Sequence, residues 1–184
     1  MKGKKNLERA IVLGLILSTG VCGNAWAEGP ITDDNWQGYE NKLYNSEALI
    51  ENNSETEAAI KLENADNVTI GITTNGKNDI TLDSEGSGIR VQKNSNGGSI
   101  TLTSGEDNII NFSGEGNGID ADSNLTITLN ADKNNNIESV DADDDGGDGI
   151  NIGKNQTAKI SFTAGNSNII KVSSDGIYRS WKHC

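Results

Sequence analysis

The stretch GIRVQKNSNGGSITLTSGEDNIINF, residues 88–112, decides the fold, because its pattern returns along the chain. A Gly-Ile pair opens it, and the pair recurs at Gly118-Ile119, Gly149-Ile150 and Gly176-Ile177, in steps of 30, 31 and 27 residues. A weaker copy, Ala59-Ile60, lies 29 residues before the first pair. Such a period is typical of solenoids, in which each unit buries its apolar face only by stacking on its neighbours.

Each repeat contains three short segments in which aliphatic residues alternate with polar ones. This period of two predicts strands with one buried face. The first segments are Ile60/Leu62, Ile89/Val91, Ile119/Ala121 and Ile150/Ile152; the second are Ile70/Ile72, Ile100/Leu102, Ile127/Leu129 and Ile160/Phe162; the third are Ile80/Leu82, Ile110/Phe112, Ile137 and Ile170/Val172.

The connection between the second and third segments has a constant length, since their leading isoleucines are always ten residues apart. An asparagine lies two residues before each third-segment isoleucine: Asn78, Asn108, Asn135 and Asn168. In a parallel coil these amides would stack and hydrogen-bond along the axis. Asparagine also tolerates a left-handed backbone at a sharp corner. The sequence therefore predicts an asparagine ladder at a tight corner.

The glycine before each leading isoleucine has two explanations. Either the backbone there needs a positive φ, or a side chain would clash with the neighbouring turn. The pairs Gly86/Gly88 and Gly116/Gly118 do not form a nucleotide-binding loop, because the third glycine is missing and no helix follows.

These patterns predict an all-β protein, a right-handed parallel β-helix of four to five rungs, where a rung is one turn of about 30 residues with three strands. The repeats span residues 58–184. Residues 28–57 lack the repeat but carry apolar and aromatic side chains such as Trp36, Tyr39 and Leu43, so they are predicted to cap the first rung.

Residues 1–27 have the anatomy of a secretory signal peptide: basic residues at the start, an apolar run from Ala10 to Leu17, and a cleavage pattern at Ala25-Trp26-Ala27. A short membrane anchor is the alternative. The mature chain would then be exported, to the cell surface or medium within a full autotransporter and otherwise to the periplasm. No membrane span is expected in the mature chain.

The composition narrows the classes of partner. The formal net charge is −12, and removing the basic leader makes it more negative, which argues against nucleic acid and anionic lipid surfaces. Cys184 is the only cysteine outside the leader, so no internal disulfide is expected. The polar, acidic composition is also typical of disordered chains, but the periodic aliphatic residues favour a folded coil.

The arrangement resembles the passenger region of bacterial autotransporters and related adhesin or haemagglutinin-like β-helices, over about residues 58–180. The resemblance is carried by the export site, the Gly-Ile strand starts, aliphatic-Thr/Ser strands such as Ile100-Thr101-Leu102-Thr103, and the corners Asn78-Asp79-Ile80, Asn108-Ile109-Ile110, Asn135-Asn136-Ile137 and Asn168-Ile169-Ile170. It implies a surface-displayed or secreted passenger engaged in adhesion or aggregation. That family also carries a C-terminal outer-membrane barrel, and the pattern of this sequence predicts no such set of amphipathic strands.

The chain ends at Cys184, soon after the Gly176-Ile177 strand begins and without a cap. A truncated reading frame is expected, or else a partner that covers the open rung. Self-association through that rung is one such arrangement.

The densest acidic cluster, Asp141, Asp143, Asp145 and Asp148, is a candidate calcium site. Its spacing begins like a calcium loop, but the twelfth position is Ile152, where a bidentate glutamate is needed. A solvated acidic loop is the alternative. No other cofactor is expected. His183 and Cys184 make a poor metal site, and with no second histidine a Ser-His-Asp triad in the body of the chain is excluded.

No catalytic residues are predicted. Asp120 and Asp122 flank Ala121 on the outward face, and Arg90 is expected beside Asp120 as an exposed ion pair. The expected function is an exported, non-catalytic β-helical fragment that acts by binding or display, with an unknown host or bacterial surface component as partner. The alternatives are a β-helical polysaccharide lyase or hydrolase, and a truncated product with no independent function.

Overall fold

The protein is a parallel β-solenoid of about four turns with three strands per turn. The computed structural model describes residues 27–52, 58–82, 86–92, 97–139, 146–153 and 156–179. The predicted signal peptide falls outside this part of the chain except for Ala27. The described residues contain no helix with the length and apolar character that a membrane crossing needs.

Sixteen strands lie in the described part of the coil. In chain order they are β1 (Ala27–Glu28), β2 (Lys42–Tyr44), β3 (Ala48–Asn52), β4 (Ala58–Leu62), β5 (Val68–Thr74), β6 (Asn78–Leu82), β7 (Ser87–Val91), β8 (Gly98–Ser104), β9 (Asn108–Phe112), β10 (Ile119–Ala121), β11 (Thr126–Ala131), β12 (Asn134–Ser139), β13 (Ile150–Ile152), β14 (Lys159–Ala164), β15 (Ser167–Lys171) and β16 (Ile177–Arg179). A single turn of 3-10 helix, Trp36–Tyr39, packs near β5.

The strands stack into three sheets, one for each segment of the repeat. Sheet A has the order β1-β3-β6-β9-β12-β15, sheet B the order β16-β13-β10-β7-β4, and sheet C the order β14-β11-β8-β5-β2. Between neighbouring turns the strands pair in parallel, so each residue lies over its counterpart in the next repeat.

The register confirms the predicted columns of isoleucines. In sheet C, Ile70 pairs with Ile100, Ile100 with Ile127, and Ile127 with Ile160. Equivalent columns run through Ile80, Ile110, Ile137 and Ile170 in sheet A, and through Ile60, Ile89, Ile119, Ile150 and Ile177 in sheet B. The inner members of these columns are fully buried. The core is therefore a stack of aliphatic layers along the coil axis.

The segment before the first full turn contains strands that its sequence did not predict. β2 pairs in parallel with β5, and β3 pairs with both β1 and β6. The repeat was hidden here because Leu43 points outward and is 66% exposed, and because Ala48 stands where later turns have asparagine. Part of the predicted cap region thus adds an incomplete turn; residues 53–57 of that region lie outside the described part of the chain.

The asparagine ladder is present at the corner between sheets C and A. Each side-chain amide nitrogen donates to the side-chain oxygen of the next turn at 2.8 Å, from Asn78 to Asn108, from Asn108 to Asn135, and from Asn135 to Asn168. The side-chain oxygen of Asn78 has no hydrogen-bond partner among the described residues, because the equivalent position in the preceding turn is Ala48. No left-handed backbone is involved, because the described non-glycine residues with positive φ are Asn41 and Asn67. The ladder asparagines are selected by their hydrogen bonds.

Close packing explains the glycine column of sheet B. Gly88, Gly118 and Gly149 are not among the described glycines with positive φ. A Cβ built on Gly118 would lie 2.6 Å from the carbonyl oxygen of Gly149 and closer still to Cγ2 of Ile137. Gly88 and Gly149 meet the same two obstacles in their own turns. Of the two explanations for these glycines, the clash with the neighbouring turn is confirmed.

Replacing Gly118 with alanine should therefore destabilise the coil by about 3 kcal/mol, because the added methyl overlaps a backbone oxygen that cannot move without breaking the ladder between β10 and β13. Chemical denaturation followed by circular dichroism measures the loss. Gly38→Ala is the matched control, since nothing lies within 4 Å of its added Cβ. Equal stability of the two variants would contradict the packing role.

The last turn is the most exposed part of the coil. Ile177 is 64% exposed and Ile169 is 45% exposed, and within the described residues no further strand pairs with β14, β15 or β16 on that side. Self-association through this turn stays a prediction.

Candidate functional site

A row of five outward-facing side chains follows the axis of sheet B. Each lies directly after the leading isoleucine of its strand, and parallel pairing places one above another. From the first turn to the last the row consists of Lys61, Arg90, Asp120, Asn151 and Tyr178. It therefore changes from cationic to acidic to neutral and aromatic along the coil.

A second row lies two residues further along each turn, at Glu63, Gln92, Asp122 and Gly153. These positions are aligned between turns by backbone hydrogen bonds, which the amides of Gln92, Asp122 and Gly153 donate to carbonyl oxygens of the preceding turn. The Gln92 side-chain amide donates to Oε1 of Glu63 at 3.1 Å. Gly153 leaves room for Asp122, whose Cγ would lie 2.8 Å from any Cβ at that position.

The two rows border an open groove of about 440 Å³, here called the sheet B groove. It is lined by Arg90, Val91, Gln92, Asp120, Asp122, Asn151, Gly153 and Tyr178. A smaller depression of about 300 Å³ lies on the other side of Arg90 and Asp120, against Ser87, Glu115 and Asn117. Both volumes fall in or near the usual range of small-molecule sites.

The pairing of Arg90 with Asp120 was predicted and is confirmed. Nε of Arg90 lies 3.5 Å from Oδ2 of Asp120 in an ion pair that lacks hydrogen-bond geometry. The pair is less exposed than expected, because only 18% of the Asp120 side chain is accessible. Asn151 adds a hydrogen bond of 3.1 Å from its amide nitrogen to Oδ1 of Asp120. The carboxylate is thus held from both neighbouring turns.

Burial raises the pKa of Asp120 above the ordinary value of an aspartate. The charge of Arg90 and the hydrogen bond from Asn151 oppose this shift, whereas the charges of Asp122 and Asp148 add to it. A carboxyl with a raised pKa carries its proton at a higher pH than an exposed aspartate does. Asp120 is therefore the chemically distinctive group of the groove.

Of the four residues in the candidate calcium site, the structure describes Asp148. Asp141, Asp143 and Asp145 lie outside the described residues. The carboxylate of Asp148 accepts hydrogen bonds from the Ser174 hydroxyl at 3.0 Å and from the Asp175 backbone at 3.2 Å. In the described part of the chain no three carboxylate, histidine or cysteine side chains form a metal-binding group. The calcium site stays a prediction, and His183 and Cys184 also lie outside the described part.

A second polar cluster lies at the other end of the coil. The Lys42 ammonium lies over the rings of Tyr39 and Tyr44, at 5.8 Å and 5.6 Å from their centroids, and 3.7 Å from Glu28. Burial first, and the Glu28 carboxylate second, raise the pKa of both tyrosines. These contacts join β1, the 3-10 helix and β2 to one another within the first, incomplete turn.

The sequence predicted one neighbouring pair of the groove, not the groove itself. Asn151 and Tyr178 were missed, although the same rule that places Arg90 beside Asp120 also places them in the row. Their residue types differ from turn to turn, so they show no repeat. The signal that identifies them is their position after the leading isoleucine.

No protein-family model, no curated protein and no solved structure matches the chain. The assignment of a parallel β-solenoid therefore rests on the strand pairing and the stacked core described above.

Proposed function

We propose that this protein is an exported, non-catalytic β-solenoid that acts by binding or display, in the manner of an adhesin-like autotransporter passenger. The observation that carries the proposal is the sheet B groove, in which polar side chains from four successive turns line one open surface. Binding residues in many proteins are exposed groups held on a rigid scaffold. Here the parallel strands provide the scaffold and the outward row provides the groups.

The export part of the proposal rests on the basic start, apolar run and Ala25-Trp26-Ala27 pattern of the leader. Expression of the full chain in a Gram-negative host should give an exported product that begins at Glu28, as measured by mass spectrometry of the intact protein. A product that keeps its leader and stays in the cytoplasm would contradict export.

Binding is tested with the exported protein coupled to beads that are mixed with bacterial and epithelial cells. The beads should adhere to at least one surface. A variant that combines Arg90→Gln with Asp120→Asn should reduce adhesion by about tenfold, because it removes the charges at the centre of the groove. The matched control combines Glu138→Gln with Lys171→Gln, which removes an exposed ion pair on sheet A. Adhesion to no surface, or equal loss in both variants, would contradict the proposal.

One observation favours a second candidate function, glycoside hydrolysis. Asp120 and Asp122 line the same groove, and the pKa of Asp120 is raised, as expected for a general acid beside a second carboxylate. Release of reducing ends from oligosaccharides, abolished by Asp120→Asn and by Asp122→Asn separately, would establish this candidate in place of non-catalytic binding.

A further inference from the structure

The sheet B groove is shaped for an extended ligand. The row from Arg90 to Tyr178 crosses three steps between turns, a length of roughly 14 Å along the coil axis. Its side chains project from short strands at successive turns, so their spacing is set by backbone hydrogen bonds and not by flexible loops. A ligand that lay along the axis would meet one side chain in each turn.

The charges of the groove favour a neutral ligand. Arg90 and Asp120 form an ion pair, Asp122 adds a carboxylate, and Asp148 is close enough to raise the pKa of Asp120. With the formal net charge of −12, these groups repel an anionic chain. A cationic chain would gain little binding energy from Asp120, because Arg90 and Asn151 already pair with that carboxylate.

The groove also keeps hydrogen-bonding capacity of both kinds. Among the described residues, the terminal nitrogens of Arg90 and the amide oxygen of Asn151 have no hydrogen-bond partner, although each residue contacts Asp120 through another atom. Asp122 supplies acceptor oxygens beside them. Donors and acceptors at close spacing suit hydroxyl groups, which both donate and accept.

Tyr178 supplies the apolar contact at the end of the row. It borders the groove, pairs in register with Asn151, and is 44% exposed. An exposed tyrosine ring offers an apolar face to C–H groups and a hydroxyl to polar ones. The C–H face of a sugar ring can stack on the planar tyrosine ring, while the hydroxyl groups of the sugar hydrogen-bond to the neighbouring polar side chains.

We propose that the sheet B groove binds a neutral, hydroxyl-rich chain, an oligosaccharide segment laid along the coil axis with one sugar on Tyr178. This inference rests on the proposed binding function and names its ligand class. Arg90, Asp122 and Asn151 hydrogen-bond the hydroxyl groups, and Asp120 orients Arg90 and Asn151.

The test is calorimetric titration of the full exported chain with separate probes. The neutral probes are cellohexaose, maltohexaose, xylohexaose and chitohexaose; the charged probes are hexagalacturonate and hexalysine. At least one neutral probe should bind with a Kd between about 10 µM and about 1 mM, and the charged probes should bind at least about tenfold more weakly.

Three variants in the groove and one control outside it assign the binding to the groove. Tyr178→Ala should weaken binding by about tenfold, whereas Tyr178→Phe should retain most of it, because stacking needs the ring. Asn151→Ala should weaken binding as well, and Lys171→Ala on sheet A should leave it unchanged. Circular dichroism checks that each variant is folded.

The outcomes separate this inference from the proposed function. No binding of any neutral probe, tighter binding of a charged probe, or binding that Tyr178→Ala leaves intact would overturn the oligosaccharide inference. Groove-dependent adhesion of the beads in the same preparations would then show that the proposed function survives with another ligand. Binding of a neutral probe without adhesion to cells would support the inference and contradict the adhesin-like role.

Discussion

Replacement of Ile110 with aspartate should unfold the turns around it. Ile110 is fully buried in the middle of β9, pairs with Ile80 and Ile137, and lies against the backbone at Gly88. The variant loses the buried side chain and places a carboxylate among the buried apolar side chains of the described core, at a cost of more than about 5 kcal/mol. Because each turn of a solenoid is stabilised by its neighbours, the loss spreads beyond one turn.

The far-UV β signal and resistance to limited proteolysis measure this loss. Ile169→Asp is the matched control, because the same change at a side chain that is 45% exposed should cost less than about 1 kcal/mol. Ile110→Val provides a milder variant that still folds and should lose about 1 kcal/mol by denaturant titration. If Ile110→Asp kept full protease resistance or lost no more stability than Ile169→Asp, or if Ile110→Val left stability unchanged, the stacked core would be contradicted.

The fold could be predicted because its determinants repeat. Every third-segment isoleucine follows its asparagine by two residues, and the structure aligns these residues turn by turn. A parallel coil places equal positions of successive repeats on top of each other, so recurrence in the sequence becomes contact in the structure. The register of Ile70, Ile100, Ile127 and Ile160 follows from this rule alone.

The first, incomplete turn could not be predicted for the same reason. Ala48 replaces the ladder asparagine, Leu43 faces outward, and β1 contributes only two residues. These strands form because the edges of β5 and β6 offer unpaired backbone groups, and pairing satisfies them. Their presence depends on the neighbouring turn more than on their own pattern.

The candidate site was predictable only at one pair. The rule for outward positions gave Arg90 and Asp120. The raised pKa of Asp120 depends on its burial and on the neighbouring charges and hydrogen bond, which the repeat does not indicate. Nor did the sequence indicate that Gly153, a position without a side chain, keeps the groove open beside Asp122. The side chains that line the groove differ in type from turn to turn, whereas the repeat in the sequence reveals only the residues that all turns have in common.

Asn108→Leu should cost about 3 kcal/mol of stability, although it replaces a polar residue with an apolar one of similar size. Asn108 is fully buried, accepts a hydrogen bond from Asn78, and donates to Asn135 and to the backbone oxygen of Asn130, each at 2.8 Å. Leucine leaves the side-chain oxygen of Asn135 and the Asn130 carbonyl without this donor. Asn78 keeps its second acceptor, the backbone oxygen of Thr103.

Asn108→Asp should cost more than Asn108→Leu at neutral pH, because a carboxylate would face two acceptor oxygens in a buried site. Such a carboxyl has a pKa above its unfolded value, so its stability penalty is absent at pH below the unfolded pKa and grows as pH rises through it.

Asn168→Leu is the control at the exposed end of the ladder. In this variant the Asn135 amide keeps the backbone oxygens of Thr163 and Leu129 as acceptors, so the loss of stability should be below about 1 kcal/mol. Denaturant titration at two pH values measures the loss of stability in all three variants. Equal losses at positions 108 and 168, or a stability of Asn108→Asp that does not improve on acidification relative to the wild-type chain, would show that the ladder contributes little beyond filling space.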